Sequence, residues 1–195
     1  MRFTREGLLT AVLVVAALFV GSFVTDRLPK PDSVLGETPF LHEAIIGEQV
    51  ALRTADVTVT EVRSAKQVVL HGQVSESAGV WLVADIVWEP RHEPSLLGGT
   101  LPVVVSTDGR TFGGTQAVIN NCGPTQPGLP VTCQLPFEMP VDALEGARLR
   151  IPAATTVRGS DDVADIDLAI DAEMAQQLAA TDEQLALATT TAVGR

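Results

Sequence analysis

One stretch limits this chain before any other: Gly7 to Val24 runs for 18 residues without a charge, just after Arg2 and Arg5. As a helix rising about 1.5 Å per residue it spans about 27 Å, close to the roughly 30 Å hydrocarbon core of a bilayer. A cleaved signal peptide is the competing reading, since its apolar region runs for about 7–15 residues and ends at a small-residue site. Val20-Gly21-Ser22 matches that site poorly, and no Ala-x-Ala follows. A buried soluble helix would need apolar partners on every side, more than a domain this small supplies. We therefore expect an uncleaved signal anchor over residues 7–24.

Orientation rests on less. Arg2 and Arg5 on one side are nearly balanced by Arg27 and Lys30 on the other, so the Lys/Arg asymmetry decides little. The amino-terminal side is only six residues long, and Cys122 and Cys133 both lie on the other side with most of the acid. The expected topology puts residues 1–6 in the cytoplasm and the domain outside the membrane. The net charge of −11 argues against nucleic acid or an anionic lipid surface as partner.

Residues 25–37 form a Pro/Ser/Gly-bearing linker, which leaves residues 38–171, near the usual size of one domain. There the hydrophobic period is two. Val57 and Val59 alternate with Thr58 and Thr60, as in a half-buried strand. Val80 to Trp88 is more continuously apolar, the mark of a central sandwich strand, and Pro90 ends it. Leu101 to Ser106 is a further strand, whose Pro102 suggests a sheet edge or a strand start. Thr107-Asp-Gly-Arg-Thr111 is a hairpin turn. Thr132 to Met139, Ala147 to Ile151 and Val163 to Ile170 complete the set. Short strands at this spacing predict an all-β, antiparallel sandwich or barrel. In the tail, residues 172–195, Asp171 can cap a helix bearing Met174 and Leu178. Thr181-Asp-Glu-Gln184 reads as a capping-box start for a second helix, and Thr189 to Arg195 is expected to be disordered.

Cys122 and Cys133 bracket a Pro/Gly loop. Outside the cell such a pair is a disulfide that restricts the unfolded chain, worth on the order of 3 kcal/mol. With no CxxC and no nearby histidine, metal binding is the weaker reading.

The inventory of reactive groups is thin. His42, His71 and His92 show no metal-ligand spacing, and no nucleophile elbow, phosphate loop or His-Glu-x-x-His is present. Ser95, His92 and an aspartate could be imagined as a triad, but nothing in the sequence places them together. Asp161, Asp162, Asp165, Asp167 and Asp171 invite a calcium reading, although their alternation with apolar residues also describes the wet face of an edge strand. Asp85, inside the most apolar strand, is the one oddly placed charge. Trp81 and Trp88 are seven apart and point to opposite faces of a regular strand, so one is expected in the core while the other is free to be exposed. Leu96-Leu97, in the loop from Glu89 to Gly99, has no local reason to be buried. With Trp88 it forms the candidate contact patch.

The segments Ala55 to Val62, Gly79 to Val87, Ser106-Thr-Asp-Gly-Arg-Thr-Phe112, Gln126-Pro-Gly128, Cys133-Gln-Leu-Pro-Phe-Glu-Met-Pro140 and Ala164-Asp-Ile-Asp-Leu168 come one after another in a familiar order. Over Glu48 to Ile170 the chain resembles the telokin-like, immunoglobulin-like extracellular domain of unknown function, found in Gram-positive cell envelopes and related in fold to a secreted immunogenic antigen. The resemblance rests on turns and strand ends. It departs at Trp88-Glu89-Pro90, where an Asn-ending strand is usual, and in the cysteine pair. It implies an immunoglobulin-like sandwich with no catalytic residues and no cofactor. The resulting expectation is a membrane-anchored, non-catalytic binding or accessory domain that contacts a membrane or envelope protein; the alternative is an envelope carrier of a small molecule or calcium.

Overall fold

The computed structural model describes residues 39–114, 116–153 and 161–193, together with residues 14, 16 and 17. The chain divides into two units, Met1–Thr38 and Pro39–Arg195. In the first, Val14, Ala16 and Ala17 are helical and exposed. The rest of the expected anchor, residues 7–24, and the linker, residues 25–37, lie outside the described residues. Among the described residues no helix is long and apolar enough to cross a membrane.

The second unit is a β-sandwich. One sheet has the order β1-β11-β10-β6-β7, formed by Phe40–Ile45, Asp162–Asp167, Arg148–Pro152, Val103–Val105 and Thr111–Gly113. The other has the order β12-β3-β4-β9-β13, formed by Gln184–Ala186, Ala55–Leu70, Gln73–Pro90, Val131–Met139 and Thr191–Ala192, with β2 (Gln49–Ala51) also on β3. A small third sheet joins β5 (Ser95–Leu97) to β8 (Cys122–Thr125). The chain crosses between layers after β1, β4, β7, β9 and β11, in the manner of Greek-key sandwiches. Within the two large sheets the pairs are antiparallel except β1 on β11 and β12 on β3.

The core lies between the layers, where Val57, Leu82, Ile86, Leu135 and Phe137 meet Val104, Leu149, Ile151 and Ile166. Its pattern keeps to the period of two with one interruption. Val59 faces Ile86 and Glu61 faces Asp85, so Thr60 is an extra residue on β3. A bulge reverses the facing of the residues after it, and here it puts Val62 inward beside Ala84. The hairpin turn His71-Gly72, both with positive φ, is the two-residue type whose strands match the sheet's twist.

A second cluster covers the opposite face of β3 and β4: Ala65, Val68, Trp81, Val83, Val118 and Leu187. Trp81 and Trp88 do point to opposite faces, but both are buried, one in each cluster. The Trp81 indole N–H donates to the Ser75 carbonyl, 3.1 Å away and six residues back along the same strand. A straight strand would separate those residues by roughly 20 Å, so β4 turns a corner between them. Opposite that corner, Lys66 alone faces the four residues Ser77 to Val80.

The tail departs from expectation. Asp171 caps the helix α1 (Ala172–Ala179), accepting the Met174 N–H at 2.8 Å, but Met174 remains exposed and Leu178 packs on the core. No second helix starts at Thr181. The Glu183 carbonyl accepts the N–H groups of Lys66 and Gln67, and β12 pairs along the edge of β3. Leu187 then buries itself beside Trp81 and Val83. Edge pairing plus an apolar seat outweighs the intrinsic preference of a short Ala-rich segment for helix. Within the stretch expected to be disordered, Thr191 and Ala192 pair with β9, and Val193 donates to Pro130; residues 194–195 lie outside the described residues.

β11 is shorter than expected, ending at Asp167, because Ala169 takes positive φ and its N–H is held by the Asp167 carboxylate. It is also interior, flanked by β1 and β10, not a sheet edge. Likewise β6 lies between β10 and β7, so Pro102 marks a strand start.

Candidate contact surface

The residues singled out in the sequence gather at the end of the sandwich where β4 finishes. β5 pairs with β8, bringing Leu97 opposite Cys122, and Cys122 is disulfide-bonded to Cys133 with Cα atoms 5.3 Å apart, a normal spacing. Because side chains alternate along a strand, the adjacent leucines part: Leu97 is 1% exposed in the core and Leu96 is 38% exposed. Trp88 is buried too, its indole N–H donating to Ser95 Oγ at 3.1 Å. The expected contact patch of Trp88, Leu96 and Leu97 is therefore not formed: two of the three are buried, and one exposed leucine is ordinary surface. Leu97 belongs to the core because β5 pairs with β8, which the disulfide fastens to β9, and Trp88 because it stands on the inner face of β4.

The isolated carboxylates each find a partner. Asp85 on β4 receives Arg63 of the neighbouring strand at 2.7 Å, which resolves the oddly placed charge. Asp161 pairs with Arg53 at 2.8 Å and Asp162 with His42 at 3.1 Å. Asp165, only 3% exposed, is covered by Arg148 at 3.0 Å and Arg150 at 3.4 Å. Arg148 also reaches Asp167 at 3.5 Å, and Asp171 is the cap of α1. The hydrogen bond to Asp161, then its charge, raises the Arg53 guanidinium above its ordinary pKa. The acids that invited a calcium reading thus carry arginine, histidine or backbone N–H on their oxygens. Among the described residues no group of three His, Cys, Asp or Glu could hold a metal. His42, His71 and His92 are not brought together: one is on β1, one in the β3–β4 turn, one beyond β4.

The opposite end of the sandwich carries a surface that the sequence did not announce. Pro140 ends β9 and starts the 3-10 turn Val141–Ala143. On one side of this turn lies an open hollow of about 590 Å³ with Phe112, Met139 and Pro140 among its walls and Glu138 at its rim. Gly79 forms part of it, packed so closely on Met139 that a Cβ there would stand 2.1 Å from the Met139 carbonyl oxygen. On the other side lies a hollow of about 310 Å³ between Glu145 and the Ala172, Ala175, Ala179 face of α1. Val141 and Asp142 line both, so the two hollows adjoin as a trough interrupted by the turn, with Val141, 49% exposed, standing between them.

The trough is anchored from the β6–β7 turn. Arg110 donates to Asp108 at 2.7 Å and to Asp142 at 3.1 Å, and lies 5.8 Å over the Phe112 ring. The Ser106 hydroxyl donates to Asp108. That hydrogen bond, followed by contributions from Arg110, holds the Asp108 carboxyl below the usual carboxylate range. The hydrogen bond from Arg110 to Asp142 leads the forces that raise the arginine. What such a surface can do chemically is bind. Apolar floor and acidic rim are there, without a nucleophile set beside a base.

No protein-family model and no curated protein matches the chain. Among solved structures it is similar to the yjhA protein from Bacillus subtilis, at 14% identity and a TM-score of 0.43, over 64% of this chain and 99% of that one. It is also similar to an uncharacterised β-sandwich protein from Clostridium difficile 630, at 13% identity and a TM-score of 0.42, over 71% of this chain and 99% of that one.

Proposed function

We propose that this chain is a membrane-anchored, extracytoplasmic β-sandwich of the immunoglobulin-like kind, which acts in a bacterial cell envelope by binding another protein and performs no chemistry of its own. The observation that carries the reading is the core-buried Cys122–Cys133 bond downstream of an 18-residue apolar run. A buried disulfide belongs to an oxidising compartment, and the run before it is long enough to hold the domain at the membrane that borders that compartment. The pairing of β1 with β11, parallel where the rest of its sheet is antiparallel, supports the immunoglobulin-like reading of the sandwich. Binding is favoured over catalysis because the polar clusters are arginine–carboxylate pairs, whereas apolar side chains lie open at the Val141 end.

Protease added to intact protoplasts tests the topology. Cleavage should remove the region after Pro31 and leave a membrane-held fragment that begins at the native amino terminus. A mature protein starting near Phe23 overturns the anchor. Photo-crosslinkers placed across the domain in living cells should join it to a specific envelope protein, and recovery of no specific adduct overturns the binding role.

The alternative, an envelope carrier of a small molecule or calcium, gains no support in its calcium form from the aspartates, whose oxygens already accept from Arg53, Arg148 and Arg150. A melting temperature raised by calcium and lowered by chelator would restore it.

A further inference from the structure

The trough beside Val141 has the make-up of a peptide-docking site, and we infer that it receives a short segment of a partner protein in which a Lys or Arg adjoins an apolar residue. This inference rests on the binding role proposed above and names the surface and the chemistry that it recognises.

Shape argues first. The two hollows adjoin at Val141 and Asp142, which line both, and each is open to solvent. Small-molecule sites enclose most of their ligand's surface, which this trough cannot do, whereas a chain lying along it uses its full extent. The floor is apolar where the two hollows join, from Phe112 and Met139 through Val141 to the alanines of α1. An apolar side chain laid there leaves water in exchange for contacts with side chains that the sandwich does not cover.

Charge argues second. Glu138, Asp142 and Glu145 stand along the trough, and no Lys or Arg lines either hollow. Of the nearby cations, Arg110 is occupied by Asp108 and Asp142 together, and the Lys66 ammonium donates to the Gly79 carbonyl at 3.2 Å. Glu138 and Glu145 carry no ion pair among the described residues, unlike Asp85, Asp161 and Asp165. An incoming cation therefore meets unpaired acid here, on a chain whose net charge is already −11. Complementarity of that kind sets the rate and choice of partner, while the buried apolar anchor supplies the lifetime of the complex.

The test uses the full chain in nanodiscs, panned against a displayed library of random seven-residue peptides. Enriched peptides should carry Lys or Arg beside an apolar residue. Synthesised and followed by fluorescence anisotropy, they should bind about tenfold more weakly to Val141→Ser and to the double variant Glu138→Gln with Glu145→Gln. Raised salt should weaken them as well. Leu96→Ser, at the far end of the sandwich, should bind as the wild type does. Four results overturn the inference: no enrichment, enriched peptides without a basic residue, binding indifferent to the trough variants, or binding lost equally in Leu96→Ser. A concentration-dependent dimer abolished by Val141→Ser overturns it too, by assigning the trough to a second copy of this chain. If a specific envelope partner still crosslinks while any of these overturning results is obtained, only the trough assignment falls. If no partner crosslinks, the binding role itself falls.

Discussion

The two ends of the sandwich receive similar residues and dispose of them in opposite ways. At the end where β4 finishes, a Pro/Gly-rich segment carries Leu96 and Leu97, and the chain returns as β8 to lie against it. The disulfide fixes that return to β9, and Leu97 disappears into the core beside Trp88. At the end where β9 finishes, Pro140 stops the strand and Val141 comes at once. Nothing among the described residues is stapled over it, and it stays half exposed. Hydropathy does not separate the two sites, since the leucine pair is the more apolar. What separates them is whether a further layer of chain is fastened across the sandwich end. A contact surface is therefore to be sought where that layer is missing.

The largest expected effect tests this contrast directly. Leu97→Ala should destabilise the domain by about 2–5 kcal/mol, the cost of emptying a fully buried leucine site. Val141→Ser should change stability by no more than about 0.5 kcal/mol, as surface substitutions do. Urea denaturation of both variants measures the difference, and equal effects would erase the distinction between the ends.

Next comes the staple itself. Replacing Cys122 and Cys133 together by serine should cost about 2–4 kcal/mol. In hydrogen exchange, the added opening should concentrate in β5, β8 and the start of β9, and leave the 3-10 turn and α1 near their wild-type protection. Uniform loss of protection would mean that the bond stabilises the whole domain rather than its own end. Free thiol in the folded wild-type protein would contradict the bond.

The smallest effect is a pH response at the Val141 end. Asp108 is held below the usual carboxylate range by the Ser106 hydroxyl first and by Arg110 after it. A depressed carboxyl contributes its stability above the unfolded-state pKa and loses it as pH falls through the folded-state value. The β6–β7 turn should therefore keep its wild-type form at neutral and mildly acidic pH and loosen only below the ordinary range of aspartate. Chemical shifts of the Arg110 and Gly109 amides monitored through acid titration would show this, and Ser106→Ala should move the midpoint upward.

Much of the sandwich was legible because a strand's facing repeats every two residues. Val57, Val59 and the run from Val80 to Trp88 declared their strands, the Asp-Gly turn declared the β6–β7 hairpin, and Asp171 declared the cap of α1. The hairpin at His71-Gly72 had a signal as well, two turn-competent residues between Val-Val-Leu70 and Gln73-Val, but so short a break barely interrupts the apolar pattern on either side. The candidate site was far less legible. Alternation says that Trp81 and Trp88 face opposite ways but not that both faces are covered. Leu97 looked free because β8, the strand that hides it, is a Cys-Gly-Pro-Thr segment with no strand-like pattern. Val141 gave no signal because a single valine after a proline carries no motif, and its neighbours in the trough come from β4, β7, β9 and α1.

Taken alone, the sequence determined the strand periods, the turn positions, the helix cap and the pairing of the only two cysteines. All of these depend on residues close along the chain or on there being no other partner. Only the tertiary structure decided which apolar side chains are covered. It turned the helix expected at Thr181 into the edge strand Gln184–Ala186, paired Thr191 and Ala192 of the expected disordered stretch with β9, closed a second cluster over Trp81, and gave each isolated aspartate of β4 and β11 its arginine or histidine. The reason is physical: facing is a property of the local backbone, whereas burial is a relation between surfaces that meet only after the chain has folded.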